Sequence, residues 1–319
     1  MRTIAHISDI HFGRVDPAVA EGLVADLSGR NPSLLVVSGD FTQRARRGQY
    51  EAAAAFLKRL PTPQLVVPGN HDIPLYNVIR RFFFPLRRYR KYITRELRPV
   101  YQDEEMFVLG INTARSLTFK SGWIDEEQLL DVKLKVCPLP RHLVKVVVTH
   151  HPFIPPPREP EVDVVRRGES YVDEMEACGV DLLLAGHLHL AYHDDLRSHY
   201  KSAKHSILSI QAGTATSTRR RGEPNAYNWI TVSPDLCTVA VRAWNGKAFE
   251  ESLVTRYRRV NGEWQREVQV PIDQVAEEVL STAGPDARAP AATPLLTPKV
   301  TTPVKAGVPI EKGKRQEEE

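Results

Sequence analysis

The sequence predicts an α/β fold, and three observations carry that prediction. Short apolar runs alternate with helical patterns through the first half. Polar residues stand at the ends of those runs. After about residue 205 the pattern changes to successive strands joined by short turns. Strands alternating with helices specify a mostly parallel sheet with helices packed on it.

The elements follow in order. Thr3–Ser8 reads as a strand, and the stretch from Pro17 to about Arg30 as a helix, with Val19, Leu23, Val24 and Leu27 at helical spacing. Leu34–Ser38 and Gln64–Val67 are buried strands on either side of an alanine-rich helix, Gln49–Leu60. Met106–Asn112, His142–His150 and Val180–Gly186 read as further strands. Asp125–Val136 reads as a helix with two glutamates in its first turn, where the helix dipole favours them. Beyond residue 205, runs beginning at His205, Asn228, Cys237, Phe249 and Glu263 are expected to be successive antiparallel strands. Asn245–Gly246 and Asn261–Gly262 mark tight hairpins, because both central residues tolerate positive φ. Ile272–Leu280 reads as a short helix. From residue 281 the chain is rich in proline and lacks aromatic residues, so 281–319 is expected to be a disordered tail after a domain spanning 1–280.

A chain of 319 residues with 42% hydrophobic residues can bury a sizeable core, and a net charge of +4 gives only weak support for a polyanionic partner. The three cysteines, Cys137, Cys178 and Cys237, are far apart and form no CxxC pair, which argues against a disulfide framework and a thiolate metal site. No apolar run approaches the roughly 20 residues that span a bilayer. These features lead to the expectation of a cytoplasmic chain with no membrane partner.

The chemistry-bearing residues sit at strand ends. The first strand runs into Asp9 and His11, the second into Asp40, the third into Asn70 and His71. Two later strands run into His150 with His151, and into His187 with His189. In open α/β sheets ligand sites lie outside the carboxyl ends of the strands. Residues two apart on an extended segment point the same way, so Asp9/His11 and His187/His189 can each aim two groups at one place. Gly39, Gly69 and Gly186 precede these groups and let backbone approach closely. Imidazole, carboxylate and amide oxygen without sulfur suit Mn, Fe, Co, Ni or Zn. The supply exceeds the needs of one four-coordinate ion and fits two ions sharing a carboxylate.

The ordered set Asp-x-His, Gly-Asp, Gly-Asn-His-Asp, His-x-Pro and Gly-His-x-His resembles the calcineurin-like metallophosphoesterase superfamily over roughly residues 3 to 270. It is most similar to bacterial class III cyclic-nucleotide phosphodiesterases, through "SGDFTQRA" and "GNHDIP". The resemblance implies a four-layer α/β/β/α sandwich of two mixed β-sheets flanked by helices. It implies two divalent metal ions (Mn2+, Fe2+ or Zn2+), the first held by Asp9, His11 and His189, the second by Asn70, His150 and His187, with Asp40 bridging. It further implies in-line attack on phosphorus by a hydroxide between the metals, with His71 as proton donor to the leaving oxygen. The substrate it implies is a small phosphodiester or nucleotide, cyclic AMP among them. A nuclease of the DNA-repair exonuclease type and a non-catalytic scaffold are the alternatives. In the protein Ser/Thr phosphatase branch, an Asp three residues after the bridging Asp orients the acid histidine; Gln43 stands at that position here, so protein phosphatase activity is disfavoured and the support for His71 is open, with Asp72 one candidate.

Other features have plainer readings. His6, His193 and His205 are expected to be structural, and His151 follows the expected ligand directly. Arg219–Arg221 form either a phosphate contact or a charged loop. The basic, aromatic excursion at about 75–98, "RRFFFPLRRYRKYITRELR" at its heart, is expected to pack its aromatics on the body and solvate its arginines; nucleotide or single-stranded nucleic-acid binding is the other reading.

Overall fold

The computed structural model describes residues 1–118, 121–200 and 203–267. The predicted helix at Ile272–Leu280 and the tail at 281–319 lie outside the described residues. The first half contains β1 (Arg2–Ile7), α1 (Pro17–Arg30), β2 (Leu34–Val37), α2 (Arg47–Leu57), β3 (Gln64–Val66), α3 (Val78–Phe83) and α4 (Arg87–Tyr92). Then come β4 (Val100–Gln102), β5 (Met106–Gly110), α5 (Glu126–Lys135), β6 (Val144–Val148), α6 (Gly168–Ala177) and β7 (Leu182–Ala185). The chain continues with β8 (Tyr192–Asp195), β9 (Leu208–Gln211), β10 (Ala226–Ser233), β11 (Leu236–Trp244), β12 (Phe249–Val260) and β13 (Glu263–Arg266).

Two mixed sheets result, ordered β13-β12-β11-β10-β1-β2-β3 and β4-β5-β6-β7-β9-β8. Strands buried on both faces explain the continuous apolar runs. In β6, Val146 and Val148 face the first sheet, where they pack with Val36, Leu65 and Ile230. Val147, between them, faces the other way and joins Val132, Val172 and Met175 of α5 and α6. On the far side of the first sheet, Leu35 and Val37 pack against Leu23 and Leu27 of α1 and Tyr50 and Phe56 of α2. Three apolar layers therefore separate four layers of structure, as the predicted α/β/β/α sandwich requires.

Helix α1 matches its predicted bounds because both ends carry side-chain or backbone stops. The Asp16 carboxylate accepts from the Ala18 and Val19 amides, Pro17 opens the helix, and Asn31 closes it in the left-handed conformation. Asp125 caps α5 by accepting from the Gln128 amide. Helix α6 and the short strands β4 and β8 were not read from the sequence.

Four expectations are corrected. First, β9 is not part of the antiparallel run: it pairs parallel with β7, in the second sheet. Second, of the two Asn–Gly pairs, Asn261–Gly262 forms a two-residue turn, with φ of 53° and 84° and Val260 opposite Glu263. Trp244 pairs with Phe249, so Asn245–Gly246 lies in a four-residue loop. Third, Cys137 and Cys178 form a disulfide, because the ends of α5 and α6 meet; Cys237 alone is free and buried. That pair removes the support that the cysteines gave to the expectation of a cytoplasmic chain. Fourth, the aromatics of the basic excursion divide: Tyr89 is buried, but Phe82, Phe83 and Phe84 stand exposed while Arg81 is buried. Among the described residues, no helix is long and apolar enough to cross a membrane.

His193, on β8, is structural as expected, with Nδ1 2.7 Å from the Tyr257 hydroxyl. Burial, reinforced by Arg266, lowers its pKa from 6.5 to about 4. A histidine whose folded pKa is depressed binds protons more readily in the unfolded chain, so stability is present above pH 6.5 and lost as pH falls toward about 4. His193→Gln should remove up to about 3 kcal/mol of that pH dependence. Urea unfolding across the window checks this; an unchanged slope would contradict it.

Candidate metal centre

The carboxyl ends of β1, β2, β3, β6 and β7 converge on one buried cluster. The backbone turns sharply there: Asp9, His11, Asp40, His187 and His189 all have positive φ, between 44° and 73°. This region is unfavourable for residues with a Cβ, and such strain concentrates at functional sites. Asp9, His11, Asp40 and His150 are 0–1% exposed.

The side chains fall into two groups. In one, the Nε2 atoms of His11 and His189 lie 3.5 and 3.3 Å from Asp9 Oδ1 and 3.2 Å from each other. In the other, Asn70 Oδ1 lies 3.1 Å from both His150 Nε2 and His187 Nδ1. Asp40 stands between them, with Oδ2 3.6 Å from His11 Nε2 and Oδ1 3.4 Å from His150 Nε2. His151 also joins the second group: its ligand atom lies within 4.8 Å of those of His150 and His187. All seven residues expected as ligands are thus brought together.

The donor set fits divalent cations. Asp9 Oδ1 is buried and has no hydrogen-bond partner, although its other oxygen accepts from the His187 amide at 2.9 Å. His150 Nδ1 faces the Ser38 carbonyl at 2.7 Å, and His189 Nδ1 the Arg219 carbonyl at 2.7 Å. A ring that donates through Nδ1 keeps its Nε2 lone pair for an ion, the usual support for a metal-bound imidazole. Burial works against charge on Asp40, but the imidazoles of His150, His71 and His11 hold it well below the usual carboxylate range. For His187, burial and His150 lower the pKa to about 3. That places His187 in the neutral form that metal binding needs, whereas at His150 burial is outweighed by Asp40, which raises the pKa to about 9, so an ion arriving there would displace a proton from His150.

His71 sits at the edge of the cluster. Its backbone amide donates to Asp40 Oδ1 at 2.8 Å, and its ring stands 4.9 Å from that of His11. Its Nδ1 lies 2.9 Å from the Gln43 carbonyl. Gln43 therefore orients His71 through its backbone, although the expected carboxylate is absent; side-chain patterns give no signal of that. Burial, opposed by Asp40, lowers the His71 pKa. Asp72 points away. It accepts from the Phe41, Thr42 and Gly69 amides at 3.2, 3.0 and 3.0 Å, tying the Asp40 loop to the Asn70 loop. Burial and Asp40 push its pKa up to about 7, against those donors.

One further residue was left undecided by the sequence. Arg219 brings its Nη1 to 3.0 Å from His71 Nε2 while its carbonyl holds His189. Arg221 instead pairs with Glu159 at 2.6 Å, and Arg220 with Asp16 at 3.6 Å. His6, as expected, is a core residue, 2.9 Å from the Ser38 hydroxyl. His205 lies away from the cluster, its amide donating to Glu176 at 2.5 Å.

A buried carboxylate, imidazole and amide cluster at the strand ends of an α/β/β/α sandwich defines a metal-binding hydrolase scaffold. The chain belongs to the calcineurin-like phosphoesterase family, whose family model matches residues 2–191. It is 38% identical over 80 residues to a glycerophosphodiester phosphodiesterase of Enterobacter lignolyticus, covering 22% of this chain and 29% of that protein. It is 25% identical over 214 residues to a probable cyclic nucleotide phosphodiesterase of Xenorhabdus bovienii, covering 64% of this chain and 79% of that protein. Among solved structures, a purple acid phosphatase from yellow lupin superposes with a TM-score of 0.60 at 10% identity, covering 78% of this chain and 52% of the other. A dimetal phosphatase from Danio rerio gives 0.57 at 14%, covering 76% and 96%. These likenesses are of fold.

Gly69 illustrates how tightly the centre is built. A Cβ there would lie 2.1 Å from Asp40 Oδ1 and 2.4 Å from the Asp40 amide. Gly69→Ala should therefore weaken Mn2+ binding by about 10- to 100-fold while leaving cooperative unfolding intact. Isothermal titration reads this, and wild-type affinity in the variant would contradict it.

Proposed function

We propose that this chain is a dinuclear metal-dependent phosphodiesterase acting on a small phosphodiester, with cyclic nucleotides the favoured substrate class. The observation that carries the reading is Asp40, whose two carboxylate oxygens face two separate groups of three donors. Asp9, His11 and His189 would hold one ion; Asn70, His150 and His187 would hold the other. Two divalent ions bound there would supply Lewis-acid chemistry, lowering the pKa of water and neutralising phosphoryl oxygens.

The chain's own residues account for the rest. His71 stands outside both donor groups, and its Nε2 faces the Arg219 guanidinium rather than either group. With Nδ1 held by the Gln43 carbonyl, Nε2 is the atom that exchanges a proton. Nε2 accepts from Arg219 here, so His71 would first take up a proton from water at Nε2, in place of the Arg219 contact, and then deliver it to the leaving oxygen of the ester. Arg219, which cannot lose its proton, donates hydrogen bonds to the phosphoryl oxygens and limits rotation of the His71 ring. No serine or cysteine nucleophile is required. The two relatives, named as a glycerophosphodiester and a probable cyclic nucleotide phosphodiesterase, favour a diester over a monoester.

The full-length protein loaded with Mn2+ should hydrolyse bis-p-nitrophenyl phosphate. Asp40→Asn should abolish most of that activity, and His71→Ala should lower kcat by about 10²- to 10⁴-fold. A panel of cyclic nucleotides, dinucleotides and nucleic acids then ranks substrates. Metal-loaded protein inert on every phosphoester offered would sink the reading.

A further inference from the structure

Helix α3 and the turn after it have inverted polarity. In a helix packed on a globular body the apolar side chains face inward and the charged ones face water. Here Arg81 is the buried residue, 4% exposed, while Val78, Ile79, Phe82, Phe83 and Phe84 are 47–74% exposed. Arg81 is not adventitiously buried: its guanidinium donates to the Ser116, Thr118 and Pro74 carbonyls at 2.8, 3.0 and 3.3 Å. These bonds clamp the apolar face outward. The same clamp brings up Leu117, which is 82% exposed, and Tyr76, at 76%, precedes the helix. More than half of the large apolar side chains that stand exposed among the described residues belong to this one patch.

Cations fringe the patch. Arg80, Arg87, Arg90, Lys91 and Arg95 are exposed. A cleft of about 400 Å³ is lined by Ile79, Phe84 and Tyr92 on its apolar walls and by Arg80, Arg87 and Lys91. A neighbouring cleft of about 390 Å³ is lined by Arg87, Arg90, Lys91 and Arg95 alone. Glu96 is the single acidic residue between positions 80 and 98.

We propose that this patch docks the protein on an anionic lipid bilayer, the exposed phenylalanine and aliphatic side chains entering the acyl boundary and the arginines meeting lipid phosphates. Apolar side chains ringed by Lys and Arg are the composition of interfacial membrane-binding elements. Single-stranded nucleic acid fits less well, because Val78, Ile79 and Leu117 offer no ring on which a base can stack. Membrane docking was not expected from the sequence, which shows no spanning run and no strong amphipathic membrane-binding segment. The proposal is independent of the reaction assigned above.

The experiment is co-sedimentation of the full-length protein with vesicles of equal parts phosphatidylglycerol and phosphatidylcholine, and with phosphatidylcholine alone. Binding should favour the anionic vesicles and weaken with added salt. Phe82→Ser/Phe83→Ser should reduce it by about tenfold or more. Arg87→Gln/Arg90→Gln should reduce it roughly thirtyfold, at ~1 kcal/mol for each cation near the surface. Hydrolysis of bis-p-nitrophenyl phosphate and thermal unfolding should be unchanged in both variants. Protein that stays in the supernatant with anionic vesicles would overturn the proposal, as would vesicle binding indifferent to both variants. Displacement from vesicles by a single-stranded oligonucleotide that binds through these same arginines would overturn it too.

Discussion

The site depends on one buried carboxylate. Asp40 is 1% exposed and carries a charge that the interior does not solvate. Its neighbours compensate: the His71 amide donates to one oxygen, and His11 and His150 stand opposite the two oxygens. Everything else in the cluster is arranged around the need to balance that charge and that of Asp9. The imidazoles come from four loops and two sheets, so the sandwich must be assembled before the charges can be compensated. Fold and centre are in this sense one cooperative unit, and divalent ions would complete the balance.

Backbone groups hold the histidines of the centre in place. Ser38, Gln43 and Arg219 each offer a carbonyl to a histidine Nδ1. Asp72 gathers three amides from two loops and fixes their spacing. Five strained residues sit among the proposed ligands, and the sheets over-determine their conformation by hydrogen bonds such as His11 N to the Asp40 carbonyl at 2.9 Å. Strain of this kind persists only where surrounding packing fixes it.

The sequence made the strands of the inner layers legible because each is a short apolar run ended by polar groups. The donor residues were legible for the same reason: chemistry placed just after a buried strand has nowhere to go but the sheet's edge. What stayed hidden was information that side-chain identity does not carry. The orientation of His71 by Gln43 is a backbone contact, and Gln43 read by its side chain looks like a loss. The Cys137–Cys178 pair depends on where two helices end. The pairing of β9 with β7 depends on a crossover, not on composition. The excursion at α3 reversed its expected packing because three carbonyls solvate Arg81 better than local patterning reveals.

The central claim is that Asp40 joins two metal-binding groups into one dinuclear centre. Anomalous X-ray diffraction from crystals of the full-length protein grown with Mn2+ tests it most directly. The account predicts two peaks about 3.5–4 Å apart, one beside Asp9, His11 and His189, the other beside Asn70, His150 and His187, with Asp40 in contact with both. A single peak at full occupancy, or two peaks with Asp40 touching only one, would contradict it.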